Sequence, residues 1–314
     1  IIFGNKMKQF SYQFGLRAET TDIQTELEQT GEKNPRNYAN LFPSAHFTYT
    51  ITPDNSFQLS YSRRVRRPTY NDLTPFVTFS DNRNFFSGNP NLNPEFTNSF
   101  DLGNVRYFDK GSISSSLYYR QTFGKIDRFR TVDTLGFAKT LPVNLSDQQS
   151  MGVEIASSYT FTKAYRADLS INAFRAITDA TNINAAFKSD TYSWFVRHSS
   201  RIKLGAVDFQ VRANYEAPQQ TPQGTRGYIA WADFSASKDI LQGNGTLSLS
   251  ILDLFSSRIN RYESRFLEPT DGSGFYTRGE SQGRLTSLNL TFNYRFKTTK
   301  QAAKQRRSLM DEEN

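Results

Sequence analysis

The chain contains no cysteine, only two histidines, and no apolar run near the roughly 18 residues that a membrane-crossing helix needs. The missing cysteines exclude disulfide frameworks, thiol catalysis and cysteine-based zinc sites together. The histidines, His46 and His198, are far apart and show neither His-x-x-x-His nor His-Glu-x-x-His spacing, and no Gly-x-Ser-x-Gly elbow occurs. No catalytic residue, metal ligand or cofactor is therefore assigned. The opening Ile1-Ile-Phe-Gly4 lacks an initiator Met and the basic and apolar segments of an export signal, so an exported protein of this sequence is expected to begin upstream. The net charge is +8, but the basic residues are scattered rather than gathered into the stripe that binds nucleic acid, and no nucleic-acid partner is expected.

Aromatic residues are abundant, at 27 Phe and 16 Tyr, and their placement is regular. In the stretch Arg284 to Phe296, Leu288, Leu290, Phe292, Tyr294 and Phe296 share one face, and Asn289, Thr291, Asn293 and Arg295 share the other. A period of two with one apolar side is a half-buried β-strand. The mean hydropathy of -0.62 does not argue against a membrane, because a barrel strand needs apolar residues only at alternate positions.

The same alternation recurs along the chain. It runs through Phe10–Ala18, Ala45–Ile51, Phe57–Val65, Phe96–Tyr107, Ile113–Arg130, Val153–Phe161, Ala167–Ala173, Trp194–Leu204, Phe209–Tyr215, Tyr228–Ala236 and Leu247–Phe255. Connections alternate without exception between short turns, near Asp54, Lys110, Lys163, Gly205 and Gly243, and long polar loops containing Gly31, Gly88, Thr140, Asn182, Gln220 and Gly272. Short periplasmic turns alternating with long outer loops mark an outer-membrane barrel, whereas a soluble sandwich has Greek-key connections. The expectation is an all-β, transmembrane, antiparallel up-and-down barrel of about twelve strands over residues 1–296, with outer-membrane lipids around it and a periplasmic polar tail over 297–314. Tyr107, Tyr159, Tyr165 and Tyr228 suit the interfacial girdles, and the slipped phase between Leu102 and Val105 predicts a bulge.

Two segments are more specific than periodicity. Arg66-Arg-Pro-Thr-Tyr-Asn-Asp-Leu-Thr-Pro-Phe76 and Gly88-Asn-Pro-Asn-Leu-Asn-Pro-Glu95 resemble the C-terminal half of TonB-dependent outer-membrane receptors, particularly the barrel family of Bacteroidetes-type bacteria. Asp253-Leu-Phe255 and the basic-then-acidic tail are similar too. The resemblance covers the whole chain. It implies the second half of a 22-stranded barrel, importing an extracellular solute when a TonB-type energy-transducing protein acts on a plug domain upstream, with a surface lipoprotein as a possible cap. No single motif names the solute. The alternative is a self-contained twelve-strand barrel acting as a surface enzyme or adhesin, with His46 near its outer rim.

Within that frame Arg64, Arg66 and Arg67 are candidate ligand residues, since guanidinium binds carboxylate or phosphate bidentately. Lumen arginines equally pair with acidic groups of neighbouring strands or of a plug. Tyr70, Phe76, Phe85 and Phe86 belong to a stretch that is aromatic for an exposed loop, and it either folds inward or contacts ligand.

Overall fold

The computed structural model describes residues 1–27, 31–133, 135–267 and 274–296; the expected tail, 297–314, lies outside them. Wherever the sequence alternates, the backbone is extended. The first strands are β1 (Ile2–Met7), β2 (Phe10–Leu27), β3 (Glu32–Thr52) and β4 (Asn55–Arg66), followed by a one-turn helix α1 (Tyr70–Leu73) and short β5 (Val77–Phe79) and β6 (Asn84–Ser87). Next come β7 (Glu95–Phe108), β8 (Gly111–Phe123), β9 (Ile126–Val132), β10 (Ala138–Asn144), β11 (Asp147–Thr162), β12 (Tyr165–Asp179) and β13 (Lys188–Leu204). The last are β14 (Val207–Glu216), β15 (Gln219–Thr221), β16 (Gly224–Arg226), β17 (Ile229–Ile240), β18 (Gly245–Leu252), β19 (Asn260–Leu267), β20 (Gly274–Ser281) and β21 (Ser287–Tyr294).

Thirteen of these form one sheet in the order β1-β2-β3-β4-β7-β8-β11-β12-β13-β14-β17-β18-β21, each strand antiparallel to the one before it in that order. The expected count of about twelve omits β1, whose apolar residues Ile2 and Phe3 fall on opposite faces and so give no period-two signal. Among the described residues these strands form an open sheet: β1 and β21 are its two edges and are not paired to each other.

All short turns lie at one end of this sheet and all long connections at the other. The long connections are not irregular. β5, β6, β10 and β9 make a four-stranded sheet, with β6 and β10 parallel, and β15, β16, β19 and β20 make a second. The expected polar loop from Asp22 to Tyr38 is mostly ladder as well, with Asp22 opposite Asn37. At 18 and 21 residues, β2 and β3 exceed the ~9–11 that cross a bilayer, so they project past it.

Burial is inverted relative to a water-soluble sandwich. In the register row Leu117–Val153–Ala173–Trp194 the outer face is apolar and accessible, as are Leu59, Phe292 and Leu290, the last at 69%. On the opposite, inner face Asn172, Ser193, Asn214 and Asp233 are buried. A continuous exposed apolar wall of this extent is stable only against an apolar medium. Aromatic pairs mark its borders. Phe161 stacks on Tyr165 at 5.0 Å by the short turns, and Trp194 meets Tyr215 at 4.8 Å toward the loops.

The expected bulge in β7 is absent. Register is unbroken from Glu95 to Arg106 against β4. The apparent slip arises because Asn104 takes an outer-face position, its amide donating to Asn55 Oδ1 (2.8 Å) and to the Ser56 carbonyl (3.1 Å), while Val105 turns inward. Register shifts occur instead at Thr50/Thr52 and Thr160/Thr162, each beside a tight turn that the extra residue helps the strand enter.

The one buried apolar cluster found among the described residues lies at the loop end, away from the sheet. Leu145, Ala180 and Phe187 are buried there, with Phe129 and Val143 against them, and Phe129 meets Phe187 edge-on at 4.9 Å. The cap also has polar ties. The Gln223 side chain clasps the Arg130 backbone, accepting from its N–H (2.9 Å) and donating to its carbonyl (2.7 Å), and Asn182 donates to the Asn144 carbonyl. Loops that follow five different sheet strands, β4, β8, β12, β14 and β18, thus fold into one cap.

Candidate functional site

The Arg66–Glu95 segment is a compact loop built on local hydrogen bonds. Thr69 caps α1: its hydroxyl accepts from the Asp72 N–H, and Asp72 in turn accepts from the Thr69 N–H, a reciprocal capping box. Burial pushes the Asp72 carboxyl up, but the two Thr69 hydrogen bonds and the charges of Arg66 and Arg128 outweigh it and hold the group below its ordinary value. Asp81 is likewise held low, by the Arg83 N–H first and then by the side chain and N–H of Asn84. Gly88 lets the chain return close under α1, its N–H donating to the Thr74 carbonyl at 2.9 Å. A Cβ at Gly88 would stand 2.3 Å from that carbonyl oxygen.

The seven candidate residues separate into two groups. Tyr70 and Phe76 are exposed on the cap surface. Phe85 and Phe86 are half-buried in β6; Phe85 packs against Phe79 at 5.9 Å, and the Arg128 guanidinium lies 5.1 Å over the Phe86 ring. The arginines are at the inner face. Arg66 pairs with Glu95 at 3.2 Å, and Arg67 pairs with Glu19 at 2.6 Å while also donating to the Thr21 hydroxyl. Arg64 is exposed and has no acidic partner among the described residues. Two of the three arginines, Arg66 and Arg67, are thus engaged in ion pairs, and Arg64 is in none among the described residues.

Arg64 lines a cup of about 770 Å³ on the inner wall over β2, β3 and β4, bounded on its β1 side by the apolar Ile1 and Ile2. Its floor is a register row of small residues, Gly15–Ser44–Ser62. Arg17 and Phe42 stand one position toward the loops, with the Arg17 guanidinium 5.0 Å over the Phe42 ring. His46 stands one position toward the turns, opposite Gln13 and Ser60. Arg17, Ser44 and Ser62 were not expected as site residues, because only strand pairing brings them beside Arg64. A second inner-wall concavity, of about 590 Å³, is lined by Ser114, Asp168, Arg197, Arg212 and Trp231. Its charges are engaged: Arg212 with Asp233, Asp168 with Arg166, and Arg197 with the Asn214 side chain and the Phe195 ring.

His198 falls on the opposite, outer face, between Leu169 and Ala213, where its Nε2 is 2.8 Å from the Ser200 hydroxyl. The two histidines are therefore on opposite sides of the wall.

Comparison with known proteins gives one sequence match and many structural ones. The model of the outer membrane protein beta-barrel family matches residues 1–294. Comparison with curated proteins returns no match. Among solved structures the chain is similar to the FrpB iron transporter from Neisseria meningitidis (F3-3 variant), at TM-score 0.60 and 15% identity over 93% of this chain and 44% of that one. It is similar to the ferric yersiniabactin uptake receptor FyuA from Yersinia pestis, at TM-score 0.59 and 15% identity over 92% of this chain and 44% of that one. The copper transporter OprC follows at TM-score 0.58 and 16% identity, over 90% and 44%. The chain thus spans less than half the length of the structures it matches.

Proposed function

Because the chain belongs to the outer membrane protein beta-barrel family, with its place in the bacterial outer membrane, we propose that it forms part of the wall of a TonB-dependent receptor that takes up an extracellular solute. The observation that carries this reading is the pairing of an apolar outer wall with a charged inner wall beneath a folded cap. A pore for bulk diffusion needs no such cap, and the histidine–hydroxyl pair found among the described residues, His198 with Ser200, stands on the outer apolar face rather than at the inner wall. The names of the structural neighbours, transporters and uptake receptors for iron, copper and a ferric siderophore, support the same class.

In this reading the wall is the second half of a 22-stranded barrel, and the strands completing it pair with β1 and β21. The cap faces outward, the short turns and residues 297–314 face the periplasm, and a surface lipoprotein is a candidate partner over the cap. The protein acts by binding and gating, without covalent chemistry. Arg64, Arg66, Arg67, Tyr70, Phe76, Phe85 and Phe86 remain the proposed solute-facing set, with Arg66 and Arg67 serving first to hold the loop.

The test is solute accumulation by cells that carry or lack the gene, in backgrounds with and without the energy-transducing protein. Uptake of at least one solute should vanish in both deletions and return on complementation. Uptake that persists without the energy-transducing protein would overturn the proposal.

A further inference from the structure

The inner-wall cup over β2, β3 and β4 is built to hold an oxyanion, and this inference rests on the receptor reading above. We propose that Arg64, supported by Arg17 and by the hydroxyls of Ser44 and Ser62, binds a carboxylate or phosphate group of the solute.

Charge supports the assignment first. One carboxylate, Glu19, serves two guanidiniums, with Arg17 at 2.9 Å and Arg67 at 2.6 Å, so it neutralises neither fully. Arg66 is matched by Glu95, and Arg64 by no acidic group among the described residues. The cup therefore carries surplus positive charge at a concave, solvent-reached surface, where an exposed guanidinium keeps its planar fork free for two parallel hydrogen bonds. In the other large inner-wall concavity Arg212 and Asp168 are answered by Asp233 and Arg166, and the Arg197 guanidinium is occupied by the Asn214 side chain and the Phe195 ring.

Shape supports it second. Three residues in register at the floor, Gly15, Ser44 and Ser62, are small, while the positions above and below carry Arg17, Phe42 and His46. A Cβ at Gly15 would stand 2.5 Å from the Ser44 hydroxyl oxygen, which can rotate aside, and the next nearest atom is 3.9 Å away. The depression is thus part of the sheet pairing and does not depend on a loop. Phe42 is buried beneath Arg17, which fixes one flank of the cup.

The experiment uses the full-length protein extracted in detergent, titrated calorimetrically at low ionic strength with inorganic phosphate and with succinate. Saturable binding of at least one anion is expected. Arg64→Gln should weaken it about tenfold or more, the scale of a hydrogen bond to a charged group. Ser62→Leu, which fills the floor without touching charge, should weaken it as well. Lys238→Gln, which removes a distant positive charge, should leave it unchanged. Failure of both anions to bind, or binding unaltered in Arg64→Gln and Ser62→Leu, would overturn the cup assignment. Energy-dependent solute uptake that continues alongside such a failure leaves the receptor reading standing; loss of that uptake with anion binding intact removes the receptor reading instead.

Discussion

Arg66 and Glu95 stand directly opposite one another on β4 and β7, 3.2 Å apart, at the two ends of the loop that joins those strands. The pair fastens the loop at its root, and the two sequence motifs meet there. Glu95 also accepts from the Ile126 N–H at 2.8 Å, so one half-buried carboxylate ties three segments together. Glu95→Ala is expected to cost about 1–3 kcal/mol, the scale for leaving polar partners unsatisfied. Amide hydrogen exchange should then rise through 67–94 and at Ile126, while β11 and β12 stay protected. Exchange unchanged at Ile126 would contradict the tie.

Gly88 is the second fastening of that loop. Substitution to Ala places a methyl group against the Thr74 and Asn71 backbones, neither of which is the flexible end of a side chain. Overpacking of this kind costs about 1–3 kcal/mol. Limited proteolysis of Gly88→Ala should open new cleavage between α1 and β6, with the transmembrane strands unaffected.

The loop should also loosen in acid. Asp72 and Asp81 both have folded-state values held below the ordinary carboxylate range, so the stability they give is complete above that range, about pH 4. It is lost as pH falls through their lowered values. Hydrogen exchange at 69–84, corrected for intrinsic rates, should accelerate below about pH 4 and change little between pH 5 and 8. Asp81→Asn should blunt the response around 81–84.

Gln223 joins the β15–β16 hairpin to β9 through two hydrogen bonds to one residue's backbone. Gln223→Ala leaves the Arg130 N–H and carbonyl without that partner, and a cost of about 1–3 kcal/mol per unsatisfied group applies. Increased exchange should appear in both 217–227 and 126–132. A change confined to one segment would show that the clasp does not couple them.

The two faces of the wall predict opposite tolerances. Ile171→Arg, on the outer face, should reduce the free energy of folding into phosphatidylcholine vesicles by about 2–4 kcal/mol, the depth-dependent cost of a cation against lipid. Ser170→Arg, one residue away on the inner wall, should be far milder. Equal effects would refute the assignment of faces.

Much of the sheet was legible in the sequence because each hairpin is local: alternation names the strand, and the turn beside it names the partner. The terminal strand, Ser287–Tyr294, follows that logic from its residues alone. What was not legible depends on chain-distant pairing. β6 and β10 lie side by side in parallel although 50 residues separate them, and nothing in Asn84–Ser87 announces that neighbour. The cup suffers the same loss. Gly15, Ser44 and Ser62 are unremarkable singly, and only register makes them a floor. Arg64, Arg66 and Arg67 were recognisable as a group, but their division into free and engaged depended on Glu19 and Glu95, which no spacing rule connects to them.

The apolar cluster of Leu145, Ala180, Phe187, Phe129 and Val143 has a consequence for how such a surface can diversify. Its members come from loops following β8 and β12, so neither loop can be exchanged for one of another length without emptying or overfilling a shared interior. New specificity is then reached more readily by changing side chains on the outside of an intact cap, such as Tyr70 and Phe76, than by grafting loops one at a time.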